Sequence, residues 1–394
     1  MKEQKFSELL RKYMHQKKAK VQSMVETINS KGLGISRQTF FNWKKDKYKP
    51  RSRDSVLACA NYLRLSRKET NKLLVAAGFP EEEAFVKHLF MELPRYRVIL
   101  LLTQADWGEP PYHEFVETLL AYADIIYRKN NVLHINVQQL PAASDADINS
   151  DFSRLGEQCG FSDVDDADSF EYALEAGLEQ TEPLFLLVSH FEQGADLLRQ
   201  QLASIIRSVS ATVPHFHVIL CGGEKLADLK YKEGALSLLN HAKVQYWPEL
   251  SRPDVYTLSN DYFNEVPLNL EEALVDQFLA ISGAHPKLLT ECLKLKTQSP
   301  DLALEKYPEK LSQCDCVSEL FTPFTQNESV RQRVFEWLQK DEVGKAEPYI
   351  LDNLLRQLYW KNLLVEREEN EEKRLYWRCE AMRMAGKQMF IKWQ

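Results

Sequence analysis

Short apolar runs alternate with amphipathic stretches through the middle of the chain. The unbroken run at 98–102 has the length and composition of a strand that is buried on both faces. Four further apolar runs follow it, at 132–137, 183–188, 217–221 and 244–247. Strands that alternate with helices predict an α/β core in which helices cover both faces of a parallel sheet. The acidic segment 144–168 predicts loop with little helix.

The first 80 residues show helical spacing only, and their charge differs sharply from that of the remainder. They hold 19 Lys and Arg against 6 Asp and Glu, whereas the other 314 residues hold 31 against 51. A basic head on an acidic body indicates a nucleic-acid-binding module joined to a part that avoids phosphate. The alternative is a solvated helical surface that binds no ligand.

One helix of this basic head combines a capped start, a buried aromatic side and a polar outer side. Ser36 can cap the helix by accepting hydrogen bonds from the free amides of its first turn. Phe40 and Trp43 are three residues apart and can anchor the helix in a small core. The outward face and the basic tail behind it comprise Arg37, Gln38, Thr39, Phe41, Asn42, Lys44, Lys45, Lys47, Lys49, Arg51 and Arg53.

The segment 34–43, with its basic tail and the two helices after it, resembles the helix-turn-helix fold of phage-repressor-type (Xre-like) regulators. The resemblance implies that 36–43 is the recognition helix. Gln38 and Asn42 would then pair with adenine, and Arg37 with guanine, in the major groove. The lysines and the remaining arginines would hold phosphates. A protein-docking role for the same kind of domain stays open as the alternative.

The loop after the first apolar run stands where a phosphate-binding loop is expected, between a strand and a helix. Such a loop has the pattern GxxxxGK[ST], but no lysine occurs between His88 and Arg128. The order of elements resembles the P-loop ATPase cores of the AAA+ and STAND families. In those families acidic residues follow the third strand, whereas Ser189 and His190 stand there in this chain. The resemblance therefore implies an ATPase-like frame with no catalytic residues and no metal site.

A second resemblance lies further along the chain. The segment 278–293, with Gly-Ala-His-Pro at 283–286, resembles the lid helix-turn-helix of STAND ATPases. In that fold His285 would approach a nucleotide β-phosphate or pack as a turn residue, and the missing lysine favours packing. The vestigial nucleotide site that the resemblances imply comprises Gly108, Tyr112, His113, Ser189, His190 and His285. Nucleotide binding without hydrolysis stays open as an alternative, and no cofactor is expected.

Residues 326–394 contain two stretches with helical apolar spacing and then a hairpin pattern, an order that resembles a winged helix. The turn of the hairpin, at 368–372, carries four glutamates. DNA would repel this turn, so a packing or partner-binding role is expected for it.

The predicted fold class is an α/β core, P-loop ATPase-like, between an all-α helix-turn-helix N-terminal domain and a C-terminal winged-helix domain. The predicted domains are a helix-turn-helix DNA-binding domain at 1–80, a linker helix at 81–94, a degenerate AAA+/STAND-like core at 95–260, a helical lid at 261–325 and a winged-helix domain at 326–394.

Cysteine spacing and hydropathy indicate the redox state of the thiols and the expected cellular location. The 7 cysteines are scattered, and only Cys314 and Cys316 lie close together, without a second pair at zinc spacing. Reduced thiols are therefore expected. No apolar run approaches the ~18 residues of a membrane span, and the N-terminus does not resemble a secretion signal. The expected location is the cytoplasm.

These patterns predict a DNA-binding adaptor or regulator in a bacterial transcription, mobile-element or defence context. The head would bind double-stranded DNA. The catalytically inactive ATPase-like scaffold would bind protein partners through its acidic body or self-associate as a homo-oligomer, without a membrane. The alternative is a diverged nucleotide-binding STAND/AAA+ switch that acts as a defence sensor or transposition regulator.

Overall fold

The computed structural model of the 394-residue chain describes residues 5–30, 35–50, 53–77, 84–140, 147–178, 182–232, 236–262, 270–346, 352–369 and 372–391. The chain divides into two compact units. The first comprises Met1–Ala84, Leu250–Leu279 and Lys296–Gln298, and the second comprises Phe85–Glu249, Ala280–Leu295 and Ser299–Gln394.

The helices and strands have the following bounds. The helices are α1 (Phe6–Gln16), α2 (Val21–Ser30), α3 (Arg37–Lys44), α4 (Arg53–Tyr62), α5 (Arg67–Ala77), α6 (Ala84–Tyr96), α7 (Tyr112–Ile126), α8 (Ile148–Cys159), α9 (Ala167–Leu178), α10 (Asp196–Thr212), α11 (Glu224–Tyr231), α12 (Arg252–Tyr262), α13 (Glu272–Ser282), α14 (Pro286–Gln298), α15 (Tyr307–Leu311), α16 (Asp315–Phe321), α17 (Glu328–Leu338), α18 (Asn353–Trp360) and α19 (Glu380–Ile391). The strands are β1 (Val98–Leu102), β2 (Val132–Asn136), β3 (Leu184–Ser189), β4 (Phe216–Gly222), β5 (Lys243–Tyr246), β6 (Glu342–Lys345), β7 (Leu364–Glu369) and β8 (Glu372–Trp377).

The second unit is built on a five-stranded sheet with the order β2-β3-β4-β1-β5, in which every pairing is parallel. Val98 of β1 pairs with Val218 of β4, and Ile99 pairs with Lys243 of β5 on the other side. All five β1 residues are fully buried. The predicted parallel α/β core is therefore confirmed, with each strand within a residue or two of its predicted position. Since parallel strands end at one edge, the loops after β1, β3 and β4 lie side by side.

The segment predicted as loop at 144–168 contains helix α8, so that prediction was wrong. Phe152 and Leu155 are buried on one face of α8, and Phe152 packs against Phe170 with ring centroids 5.7 Å apart. Gly160 ends the helix in the left-handed conformation. The apolar residues have helical spacing, but the acidic and polar residues between them hid it in the sequence.

Three further elements differ from the sequence-based prediction. The linker helix does not end at Pro94, because α6 continues through this proline to Tyr96. The predicted hairpin, β7 and β8, is antiparallel as expected, but β6 joins it in the order β6-β8-β7. Strand β6 consists of four residues that include Gly344, and their sequence has no pattern that predicts a strand. Helix α19 was also missed, and it packs against α15, α16 and α17.

The N-terminal part of the first unit has its own apolar core, formed by α1 to α5. Phe40 and Trp43 of α3 are buried in it, with Phe6 of α1 edge-on to Trp43 at 6.4 Å. The predicted cap is confirmed, since the Ser36 hydroxyl accepts a hydrogen bond from the Thr39 amide at 3.0 Å. Local capping and a shared aromatic anchor therefore fix how α3 presents its outer face.

Among the helices of the described ranges, none is both long enough and apolar enough to cross a bilayer. The seven cysteines are free thiols.

A buried arginine joins four segments of the second unit. The Arg378 guanidinium donates hydrogen bonds to the Glu249 carboxylate (3.0 Å), to the Gly283 carbonyl (2.8 Å) and to the Gln104 side-chain oxygen (2.6 Å). The Gln104 amide in turn donates to the carbonyls of Tyr359 and Leu364. The loop after β1, the segment after β5, the α13–α14 turn and the C-terminal part are thereby held together.

Gly283→Ala tests this junction. Gly283 has φ +60, and a Cβ there would lie 2.4 Å from the Arg378 carbonyl oxygen. We expect the substitution to lower the free energy of unfolding by about 2–5 kcal/mol, from backbone strain and overlap together. Urea unfolding followed by circular dichroism measures the change.

The matched control is Gly177→Ala, because Gly177 lies in α9 with nothing within 4 Å of the added Cβ. Its expected change is at most about 1 kcal/mol, towards higher stability. Equal losses in the two variants would contradict the assignment of Gly283.

Candidate nucleic-acid interface and candidate nucleotide site

The outer face of α3 is exposed and polar. Arg37 and Gln38 are exposed, Asn42 and Lys44 are half-buried, and Phe41 is 42% exposed. The basic tail behind the helix is also exposed at Lys45, Lys47 and Lys49. This face has the mixture of amide, guanidinium and ammonium groups that duplex DNA contacts require.

Hydrogen bonds link the amides of this face into a row. The Gln38 Nε2 donates to Asn42 Oδ1 at 3.3 Å, and Asn42 Nδ2 donates to the Tyr48 hydroxyl at 2.8 Å. Sequence reasoning missed Tyr48, which is 47% exposed between two lysines of the tail. The signal that could have found it is an aromatic hydroxyl just beyond the end of the helix.

Other predicted members of this surface have different positions. Thr39 is half-buried, and its hydroxyl shares a hydrogen bond with Ser36 at 2.9 Å. Arg37 lies 3.5 Å from the Glu26 carboxylate, and both side chains are exposed, so the pair contributes little to stability. Arg51 lies outside the described residues, and Arg53 begins α4 with a side chain outside them.

The loop after β1 turns its amides inward. Ala105 N donates to the Thr103 hydroxyl (3.2 Å), Gly108 N to the Asp106 carboxylate (2.8 Å) and Glu109 N to the Asp106 carbonyl (3.1 Å). A phosphate nest needs successive amides that point at the ligand. In this conformation the Gly108 amide is therefore bonded to the Asp106 carboxylate and does not point out of the loop.

The end of β3 supplies an internal polar network where acidic residues were sought. Ser189 is fully buried, and its hydroxyl lies 2.9 Å from His134 Nε2 and 3.1 Å from His190 Nδ1. Burial lowers the pKa of His134 to about 4 and also lowers the pKa of His190. Both rings are therefore neutral at pH 7, and neither replaces the cation that a phosphate site needs.

Glu192, the nearest carboxylate after β3, caps another helix. Its two oxygens accept from the amides of Gly223 (2.7 Å), Lys225 (3.0 Å) and Leu226 (3.1 Å), at the start of α11. A carboxylate at this end of a helix satisfies free amides and opposes the helix dipole. Glu192 is thus engaged in structure, and metal binding would require it to give up these bonds.

A cavity of about 330 Å³ remains at this edge of the sheet, with α18 on one side. Arg356 of α18 pairs with Glu224 and Asp228 of α11, which holds α18 in place. The lining residues are Thr103, Gln104, Ala105, Asp106, Trp107, His190, Glu192, Gln193, Gly223, Glu224, Gln357, Trp360 and Lys361. Three carboxylates face one lysine in this lining, a balance that disfavours phosphate. Among the described residues no group of three or more His, Cys, Asp or Glu is placed to hold a metal ion.

The remaining predicted nucleotide residues are not brought to this cavity. Tyr112 begins α7 and is buried against Trp107, with ring centroids 6.3 Å apart, while His113 is exposed. His285 caps α14 from a position that is 5% exposed, and its Nδ1 has no hydrogen-bond partner among the described residues. Its burial favours the packing interpretation.

The pH dependence of stability tests the burial of His285. Burial, with Arg378 and Lys287 nearby, lowers the pKa of His285 to about 3. The unfolded chain binds this proton near pH 6.5, and the folded chain does not, so stability is lost as the pH falls from about 6.5 towards 3. Between pH 6 and 5, His285→Gln should remove about 1 kcal/mol per pH unit from the slope of unfolding free energy.

The control is His113→Gln at an exposed position, and its slope is measured under the same conditions. Urea unfolding at pH 7, 6 and 5 gives the three slopes. A slope for His285→Gln equal to that of the control would show that His285 titrates normally in the folded protein.

Comparisons with known proteins give matches at the level of structure only. No protein-family model matches the chain, and no curated protein sequence matches it. Solved structures of P-loop ATPase-like proteins are similar to it. The ORC2 protein of Aeropyrum pernix, solved in ADPNP–ADP complexes, is 12% identical over 79% of this chain and 93% of that chain, with a TM-score of 0.39. A Walker-type ATPase of Pyrococcus abyssi is 15% identical over 77% and 95%, with a TM-score of 0.44.

The Cdc6p protein of Pyrobaculum aerophilum is 13% identical over 79% of this chain and 94% of that chain, with a TM-score of 0.39.

Proposed function

We propose that the chain is a DNA-binding adaptor whose N-terminal helices contact duplex DNA through α3. The observation that supports this most directly is the hydrogen-bonded row of Gln38, Asn42 and Tyr48, flanked by the lysines of the tail. Amides can contact base edges, and lysines can hold phosphates on either side of them. In this proposal α1 to α5 are a helix-turn-helix domain of the phage-repressor type.

We further propose that the α/β core is a scaffold that does not hydrolyse ATP. Three observations support this: the inward amides of the loop after β1, the neutral histidines at the end of β3 and the engagement of Glu192 with α11. Phosphate transfer requires a nest of free backbone amides, a nearby cation and a carboxylate that binds the metal ion. The inward loop amides argue against the nest, the neutral histidines against the cation, and the engagement of Glu192 against the metal-binding carboxylate.

The C-terminal part is proposed to be a winged helix that packs against the core and meets protein partners. Its three-stranded sheet pairs its own charges, because Lys373 lies 3.4 Å from Glu366, and Lys345 of β6 lies 3.1 Å from Glu372. Such a surface is unsuited to phosphate and is open to proteins. The bacterial transcription, mobile-element or defence context and the homo-oligomer remain predictions, as do the bounds of the five predicted domains.

The DNA proposal is tested with Gln38→Ala combined with Asn42→Ala. Loss of base contacts should cost about 1–3 kcal/mol each on the preferred duplex and should relax the sequence preference. Lys45→Ala and Lys47→Ala should instead weaken all duplexes alike and reduce the salt slope by about one each. Fluorescence anisotropy at several salt concentrations separates the two effects.

The control is Gln332→Ala in α17, an exposed glutamine that donates to a residue four positions on, as Gln38 does. It should leave DNA binding unchanged. If the double variant keeps both affinity and preference at physiological salt, α3 does not contact bases.

The scaffold proposal is tested by equilibrium binding of ATP with Mg²⁺ and by phosphate release. No binding at micromolar ATP and no phosphate release above buffer are expected, because the loop amides, the histidines after β3 and Glu192 are engaged within the protein. Micromolar binding that His285→Ala abolishes and His113→Ala retains would refute the proposal. It would favour the alternative of a nucleotide-dependent switch.

A further inference from the structure

We infer that Tyr48 is a positioning residue for base recognition, which fixes the side-chain amide of Asn42 in the orientation that selects adenine over guanine. The inference rests on the proposed function of α3 and extends it to a residue outside the helix. Its basis is the hydrogen-bonded row from Gln38 through Asn42 to Tyr48 and the turn that brings Tyr48 back to the helix.

The turn is built into the end of α3. Asp46 has φ +59, the left-handed conformation, and its amide donates to the Trp43 carbonyl. The Lys47 amide donates to the Asn42 carbonyl at 3.0 Å. These two bonds form the Schellman motif that ends a helix and reverses the chain. The residue after Lys47 is therefore carried back alongside the last turn of α3.

A second contact holds the turn from α1. The ammonium of Lys5 donates to the Asp46 carboxylate at 2.7 Å, and this partner lowers the pKa of Asp46. Both side chains are well exposed, so the pair adds little stability, but it restrains a residue in an unfavourable backbone region. The position of Tyr48 is thus set by the backbone and not by burial of its ring.

The hydrogen bonds determine which edge Asn42 presents. One N–H of its Nδ2 is donated to Tyr48, and its Oδ1 accepts from Gln38. The amide retains one N–H and one lone pair of Oδ1. Adenine offers one acceptor and one donor in the major groove, N7 and the N6 amino group, whereas guanine offers two acceptors. The remaining groups of Asn42 therefore match adenine.

The hydroxyl of Tyr48 sets this orientation from one side. If the Asn42 amide were flipped, its oxygen would face the Tyr48 oxygen. The Tyr48 hydroxyl would then have to donate its proton to Asn42 Oδ1. In the observed arrangement the Tyr48 hydroxyl accepts from Asn42 Nδ2. Removal of the hydroxyl oxygen leaves both orientations of Asn42 open, so discrimination between adenine and guanine should fall.

The experiment uses the full chain and duplexes selected from a random library by the wild type. Affinities are then measured for the selected duplex and for the same duplex with guanine in place of each adenine. Tyr48→Phe should reduce the adenine preference at one position about twofold to tenfold, the usual value of one hydrogen bond. Its affinity for non-selected duplex and its salt slope should equal those of the wild type.

Two comparisons separate positioning from a general effect on the fold. Tyr62→Phe makes the same chemical change in α4 and should keep the full preference. In the Asn42→Ala background, Tyr48→Phe should have no further effect on adenine preference, because the residue that it orients is gone. Thermal melts that match the wild type confirm that Tyr48→Phe folds, as expected for a side chain that is 47% exposed.

The outcomes distinguish this inference from the proposed function. If Asn42→Ala loses the preference and Tyr48→Phe keeps it, the inference is wrong and DNA reading by α3 stands. Additive losses from Tyr48→Phe and Asn42→Ala would also overturn it, because Tyr48 would then act independently. If Asn42→Ala keeps the preference, this inference is wrong, and the double variant decides whether α3 contacts bases through Gln38. If the wild type selects no sequence, base recognition by α3 and this inference fail together.

Discussion

The buried guanidinium of Arg378 is the point on which the arrangement of the second unit depends. A charged group out of water requires hydrogen bonds to most of its donors. Arg378 obtains them from a glutamate after β5, a carbonyl in the α13–α14 turn and the side chain of Gln104 in the loop after β1. Gln104 then donates to the carbonyls of Tyr359 and Leu364. The loop after β1 is therefore held by the C-terminal part of the chain and by its own internal bonds.

This constraint supports the proposal that the ATPase-like core is a scaffold that does not hydrolyse ATP. A phosphate loop must leave its amides free, and it must be supported by a cation and a metal carboxylate. Here the amides of the loop bond to its own side chains, the histidines after β3 are neutral, and Glu192 caps α11. The same polar groups that would serve a nucleotide instead connect the elements to one another. In the proposed function, such a core presents surfaces to partners.

The N-terminal helices show the opposite arrangement, because their polar groups face outward. The aromatic side of α3 is buried, which leaves the amides and cations of the other side in solvent. The helix ends in a turn that returns the chain to Asn42, so part of the outer face is preorganised by hydrogen bonds. Preorganised polar groups lose less conformational entropy on binding than free ones. The working surface of the proposed adaptor is accordingly placed on α3 and its tail.

Features that depend on neighbouring residues could be predicted from the sequence alone. The apolar runs predicted the five strands of the parallel sheet, and Ser36 and the aromatic spacing predicted α3, since burial periodicity and capping involve residues only a few positions apart. The helix Ile148–Cys159 was not predicted, because acidic residues interrupt its apolar spacing. The hydrogen-bond partners of the candidate-site residues, in contrast, depend on the tertiary structure. The hydrogen-bonded residues Gln104 and Arg378 are 274 positions apart in the sequence, and Glu192 and Gly223 are 31 positions apart. Contacts between such distant residues leave no local pattern, because they form only when the sheet brings the ends of its strands together.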